Sequence, residues 1–141
     1  MFGFGKKRDS AKKLVLHIDD EPDIRLMIEA ALTPLGVQVF SAEDGVAGLA
    51  LAKKERPDLI LLDILMPGMD GYDTCLALRR LPPLKGTPIL MLTALSQMKD
   101  VERAMAQGAD GYVLKPVEVP KLREKVAEAL KLPPPASAVK P

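Results

Sequence analysis

The polar and apolar positions of this chain alternate between two regimes. Short unbroken apolar runs recur at Leu14 to Ile18, Val37 to Phe40, Leu59 to Leu62, Ile89 to Leu92 and Tyr112 to Leu114, each bounded by charged or turn-forming residues. Unbroken apolarity, rather than strict alternation, is what a strand needs when both faces of its sheet are covered, so these runs predict parallel strands. The segments between them carry helical spacing. Ile24, Met27, Ile28 and Ala31 fall on one face of a first helix, with Pro22 tolerated in its first turn and Gly36 marking its exit. Val46, Leu49, Ala50 and Lys53 repeat the pattern in a second helix, and further helices are predicted over Tyr72 to Leu81, Gln97 to Gln107 and Val119 to Leu132.

Five strands alternating with five helices make a (βα)₅ count. Parallel neighbours require right-handed crossovers, so the economical architecture is a doubly wound α/β sheet with helices on both faces and strand order 2-1-3-4-5. Ligands of such sheets gather at the carboxyl ends of the strands, around the point where the order reverses.

Bulk properties narrow the picture only modestly. The 141 residues suit one domain, and 48% hydrophobic with 28% charged residues is ordinary globular composition. With 20 basic and 19 acidic residues there is no general field to draw the chain to nucleic acid or an anionic membrane, and no apolar run approaches the ~20 residues of a membrane span. A single cysteine, Cys75, rules out an internal disulfide framework and a cysteine zinc cluster, which fits a cytoplasmic location. Residues 1–12 form a basic extension expected to be flexible, residues 13–132 the folded domain, and residues 133–141 a proline-rich tail that cannot continue a helix.

The chemistry lies where the strands end. Strand one runs into Asp19 and Asp20, strand three into Asp63, strand four into Thr93, and strand five into Lys115 and Pro116. The predicted topology delivers three carboxylates, a hydroxyl and an ammonium to one rim. Two like charges ~4 Å apart cost roughly 4 kcal/mol at an effective dielectric near 20, so three carboxylates call for neutralisation. A divalent cation together with Lys115 supplies it, and Mg²⁺ suits a site of carboxylates, waters and a phosphate oxygen. A carboxylate beside such an ion can attack a phosphoryl group. Taken singly the residues are ordinary: an Asp before a helix is often an N-cap, Thr93 a strand-end hydroxyl, Lys115 a surface charge. Their joint placement is what carries the chemistry.

The segments His17-Ile-Asp-Asp-Glu21, Leu61-Leu-Asp-Ile-Leu-Met-Pro-Gly-Met-Asp-Gly71, Met91-Leu-Thr-Ala94 and Gly108-Ala-Asp-Gly-Tyr-Val-Leu-Lys-Pro116 resemble, in order and spacing, the receiver domains of two-component response regulators, in particular stand-alone receivers like the chemotaxis regulators. The resemblance covers about residues 13–132 and implies a flavodoxin-like fold. It further implies that Asp63 is the phosphoacceptor, Asp20 a direct ligand of Mg²⁺ (or Mn²⁺), Asp19 an ion-orienting acid, and the backbone carbonyl of Leu65 another ligand. Thr93 and Lys115 would hold phosphoryl oxygens, and the Lys115–Pro116 peptide would be cis. By the same resemblance, Thr93 moves on phosphorylation and Tyr112 enters the vacated space, repacking the face made by helix four, strand five and helix five. As a packing aromatic, Tyr112 needs no such role.

Partners follow by the same resemblance. A sensor histidine kinase or histidine phosphotransfer protein would supply the phosphoryl group, docking on Ile24, Met27 and Val117. Output would be contact with an unidentified protein, with a phosphorylation-dependent homodimer open, and neither direct nucleic-acid binding nor membrane insertion is expected. Leu65 and Leu95 stand where the family often has polar groups beside the path of a hydrolytic water, which implies slow autodephosphorylation. Two other functions compete. A Mg²⁺ phosphatase resembling the haloacid dehalogenase group wants a second Asp where Leu65 stands, and a phosphorylation-independent adaptor would not need all five site residues. His17 is read as a packed or edge histidine without metal partners nearby, Cys75 as a small apolar filler, Met66 and Met69 as packing beside the site, and Asp70 as a helix cap.

Overall fold

The computed structural model describes residues 7–94 and 98–133. Its strands are β1 (Leu14–Ile18), β2 (Gln38–Ala42), β3 (Leu59–Asp63), β4 (Ile89–Thr93) and β5 (Gly111–Leu114), alternating with α1 (Pro22–Leu32), α2 (Gly45–Glu55), α3 (Gly71–Arg79), α4 (Met98–Ala106) and α5 (Val119–Leu130). All neighbouring strands pair in parallel in the order β2-β1-β3-β4-β5. This is the doubly wound, flavodoxin-like arrangement that the apolar runs predict.

Burial follows position in the sheet. The central strands β1, β3 and β4 are buried at every residue, whereas the edge strands β2 and β5 are interrupted by partly exposed positions. Alternate residues of the central strands feed two separate cores. Leu16, Ile18, Ile60, Leu62 and Met91 pack on one side with Ala52, Tyr72, Cys75 and Ala104. Val15, Leu59, Leu61, Leu90 and Leu92 pack on the other with Ile28, Leu32, Leu122 and Val126. The second group places α1 and α5 on one face, the first α2, α3 and α4 on the opposite face.

Element ends depart from the expected bounds for local reasons. The β2 ladder begins at Gln38, whose N–H donates to Lys13 O at 2.8 Å, and runs on through Ser41 and Ala42. An edge strand tolerates the polar Ser41, so apolarity alone ends it too early. Helix α3 stops at Arg79 because Leu81 precedes Pro82 and is extended (φ −83, ψ 116), and a short 3₁₀ turn, Pro82–Leu84, follows. A second such turn, Thr33–Leu35, extends α1 to Gly36, whose φ of 80° closes it in the left-handed region that favours glycine.

Arg79 knits the end of the sheet opposite the strand C-termini. Its guanidinium donates to the carbonyls of Gly108, Leu84 and Thr87 and forms a 2.6 Å ion pair with Asp110, which also accepts the Ile89 N–H. At the N-terminus, residues 7–12 are tied to the domain: the Asp9 N–H donates to the Gln38 side chain at 2.7 Å, and Arg8 lies 3.7 Å from Asp58. Residues 1–6 and 134–141 lie outside the described residues. No helix among the described residues is long and apolar enough to cross a membrane.

Candidate functional site

β1 and β3 lie side by side, so their C-terminal ends deliver Asp19, Asp20 and Asp63 to one place. Each of these residues offers a carboxylate oxygen within 4.8 Å of the others, a spacing that one cation can bridge. From the far side of β4, the end of β5 brings in Lys115. Its ammonium donates to Asp63 Oδ1 at 3.0 Å and lies 3.6 Å from Asp19 Oδ2 and 3.7 Å from Glu21 Oε1. The Lys115–Pro116 peptide is cis.

Asp19 and Asp20 do not cap α1. The N-cap position is Glu21, whose side chain makes no capping bond; its N–H instead donates to Asp19 Oδ1 at 3.0 Å. Arg25, one turn into α1, donates to the Asp19 carbonyl at 2.7 Å. Asp70 does cap α3, its Oδ1 accepting the Asp73 N–H at 3.0 Å, and Asp44 caps α2 in the same way through Ala47.

The loop that follows β3 is held by a close backbone approach. The Gly71 N–H donates to Ile64 O at 2.8 Å, and a Cβ on Gly71 would lie 2.4 Å from Asp63 O and 2.5 Å from Ile64 Cα. Only a residue without a side chain lets α3 start this near the end of β3.

The electrostatics of the pocket are uneven. Burial pushes the Asp63 carboxyl up to about 6; the Lys115 hydrogen bond opposes this, while the charges of Asp19 and Asp20 add to it. Asp19 is also penalised by burial, yet contact with His17, the Glu21 N–H and Lys115 together hold it below the usual carboxylate range. Lys115 pays for its own burial but is raised by Asp63, Asp19 and Glu21. The ammonium thus stays charged and serves as the counter-ion of the acidic cluster.

Thr93 ends β4 and is 4% exposed; with Ile64, Val101, Ala104 and Tyr112 it lines a small crevice between α4 and the sheet. Tyr112 is half-buried, with the Lys125 ammonium 5.5 Å from its ring centre. Leu65 projects into solvent beside the cluster at 61% exposure, and Leu95 lies outside the described residues. Ile24, Met27 and Val117 are only partly exposed and pack on the α1/α5 core, while their neighbour Leu26 is 68% exposed.

Sequence reasoning passed over His17, Glu21, Arg25 and Gly71. His17 is fully buried in a central strand, with Nε2 3.3 Å from Asp19 Oδ2. The signal was present: residues two apart in a strand share a face.

Residues 15–127 match the family model for the response regulator receiver domain. The chain belongs to the response regulator receiver family. It is 40% identical over 117 residues to the DNA-binding dual master transcriptional regulator RpaA of Synechocystis sp., covering 83% of this chain and 48% of that protein. The receiver spans about half the length of the curated relatives it matches. Among solved structures, the chemotaxis response regulator CheY4 of Vibrio cholerae superposes with a TM-score of 0.81 at 36% identity, covering 84% of this chain and 99% of that one. The receiver domain of a sensor histidine kinase from Pseudomonas aeruginosa matches with a TM-score of 0.79 at 29% identity, covering 85% and 98%, and carries a magnesium ion in its active-site cleft.

Proposed function

We propose that this receiver is a phosphorylation switch in which Asp63 accepts a phosphoryl group from a phosphohistidine on a sensor kinase or phosphotransfer protein. The observation that carries the reading is the convergence of Asp19, Asp20 and Asp63 within 4.8 Å, with the Lys115 ammonium 3.0 Å from Asp63. Three acids and one base leave a net negative pocket, which fits a divalent cation with oxygen ligands. Asp20 and Asp63 would ligate Mg²⁺ or Mn²⁺ directly with the Leu65 carbonyl, and Asp19 would orient it. The cation, when bound, neutralises charge on the transferring phosphoryl oxygens.

The rest is the work of the chain itself. An Asp63 oxygen attacks phosphorus, the P–N bond to the donor imidazole breaks, and an acyl phosphate forms on Asp63. Lys115 exchanges its bond to Asp63 Oδ1 for one to a phosphoryl oxygen, and the Thr93 hydroxyl takes another. Movement of Thr93 alters the crevice it shares with Tyr112, Val101 and Ala104, so the α4-β5-α5 face repacks and changes its affinity for a protein partner or a second receiver. Ile24, Met27 and Val117 would sit at the kinase contact, with exposed Leu26 joining them. A phosphatase reading lacks its second acid, since Leu65 follows Asp63 by two residues. These roles concern the receiver unit; in RpaA such a unit is about half of a DNA-binding regulator.

Incubation with phosphoramidate and Mg²⁺ followed by a Phos-tag gel tests the acceptor. The wild-type chain gives a retarded band and Asp63→Asn gives none; undiminished Mg²⁺-dependent labelling of the variant would remove Asp63 from the role. Beryllofluoride with Mg²⁺ should change the Tyr112 resonances, and no response would favour a constitutive adaptor.

A further inference from the structure

Tyr72 stands where the loop that follows β3 meets α4. It is the second residue of α3, is 4% exposed, and packs in the same core as Ile64, Met91 and Ala104. From α4, the Arg103 guanidinium lies over its ring, 3.9 Å from the centroid, and the Tyr72 hydroxyl donates to the Asp100 carbonyl at a long 3.4 Å. A buried aromatic is an ordinary core filler, but filling a core does not call for an exposed arginine laid across the ring face. Arg103 forms no ion pair among the described residues, so the ring is what holds its guanidinium in place. We propose that the stacking of Arg103 on Tyr72 is a latch that holds α4 against the sheet and opposes the switch. This rests on the reading of Asp63 as the phosphoacceptor and of Tyr112 as the ring that moves.

The latch has a fixed side and a side that must yield. On the fixed side, the residue before Tyr72 is Gly71, which is tied to the end of β3 by its bond to Ile64 O and by the close approach to Asp63 and Ile64. On the other side, Asp100, Val101 and Ala104 of α4 form one wall of the crevice that Thr93 and Tyr112 also line. That crevice has room for about one water, far less than a phenol ring. The Tyr112 ring therefore enters only if the α4 wall retreats. Arg103 rides on the same turn of helix as Ala104, while the start of α3 stays in place, so the retreat draws the guanidinium off the Tyr72 ring. A contact present in one state and lost in the other biases the equilibrium by its own strength, which for a cation over an aromatic at a partly exposed site is roughly 2- to 5-fold.

Beryllofluoride titration at fixed Mg²⁺, followed through the Tyr112 resonances, measures the bias. Arg103→Gln should reach half-switching at a roughly 2- to 5-fold lower beryllofluoride concentration than wild type, and Arg103→Lys, which keeps a cation for the ring, should lie closer to wild type. Lys99→Gln removes another exposed cation from α4 and should leave the midpoint unchanged. An Arg103→Gln midpoint equal to or above that of wild type overturns the latch, and so does an equal shift in Lys99→Gln, which would make the effect one of charge alone. The wild-type protein supplies a second readout that needs no variant. The Arg103 side-chain protons should lie upfield of their usual position under the Tyr72 ring current and move back as beryllofluoride saturates; protons that start at the usual position, or that stay shifted at saturation, overturn the proposal. A wild-type chain whose Tyr112 resonances do not respond at all overturns the switch reading itself, and the latch with it.

Discussion

The ammonium of Lys115 lies 3.0 Å from Oδ1 of Asp63, across fifty-two residues of sequence and from the opposite side of β4. Within the chain, this contact and the longer ones to Asp19 and Glu21 balance the acidic cluster. Lys115→Met should therefore lower unfolding stability by about 1–3 kcal/mol in chelator-treated buffer, the scale of losing a charged hydrogen bond. Urea denaturation measures it, and millimolar Mg²⁺ should recover part of the deficit because a second counter-ion then reaches the acids.

Asp63 makes the opposite contribution. Its folded pKa of about 6 exceeds the ordinary 3.8, so the folded state holds a proton that the unfolded state releases, and stability falls as pH rises between these values. Above pH 6 the penalty is complete. Asp63→Asn should be more stable than wild type at pH above 7 without metal, by on the order of 1–3 kcal/mol. The gap should narrow as pH falls towards 4, which thermal melts across that range will show. Asp19 has the reverse sign, since its lowered pKa gives stability above about 3.8 that is lost on further acidification.

Leu65 offers no hydrogen bond from its exposed position beside the cluster. Leu65→Asn should shorten the lifetime of the phosphorylated receiver, because an amide at that place can orient an attacking water. Decay followed on Phos-tag gels after removal of the phosphodonor measures the effect; unchanged or slower loss would contradict it.

Gly71→Ala should cost about 1–3 kcal/mol, the usual scale of overpacking. The new methyl would meet backbone at Asp63 and Ile64 rather than a yielding side chain. The same variant should bind Mg²⁺ more weakly in calorimetry, since the shift falls on the loop that carries Asp63 and Leu65. An alanine variant matching wild type in both measurements would show that α3 can retreat freely.

The sheet was legible because its central strands are buried on both faces, so Leu59 to Leu62 could hardly be anything else. The acids were legible because each follows such a run. Less visible was the frayed alternation of β2, where Ser41 faces outward on an edge strand, and the early stop of α3, which depends on Leu81 preceding two prolines. His17, read from the sequence as a packed histidine, is fully buried in β1; its 3.3 Å contact with Asp19, just past the end of the strand, is a local one that a search for metal partners does not bring out. Ile24, Met27 and Val117 are partly exposed while packing on the α1/α5 core, so apolar character alone does not separate a contact surface from core packing.

The Arg79 guanidinium sits at the end of the sheet remote from the carboxylates, joining the tail of α3 to the segment that leads into β4 and, through Gly108 and Asp110, to the segment between α4 and β5. If Thr93 moves on phosphorylation as proposed, these bonds would anchor the far end of the sheet, and the shift would be felt most at the rim that carries the carboxylates.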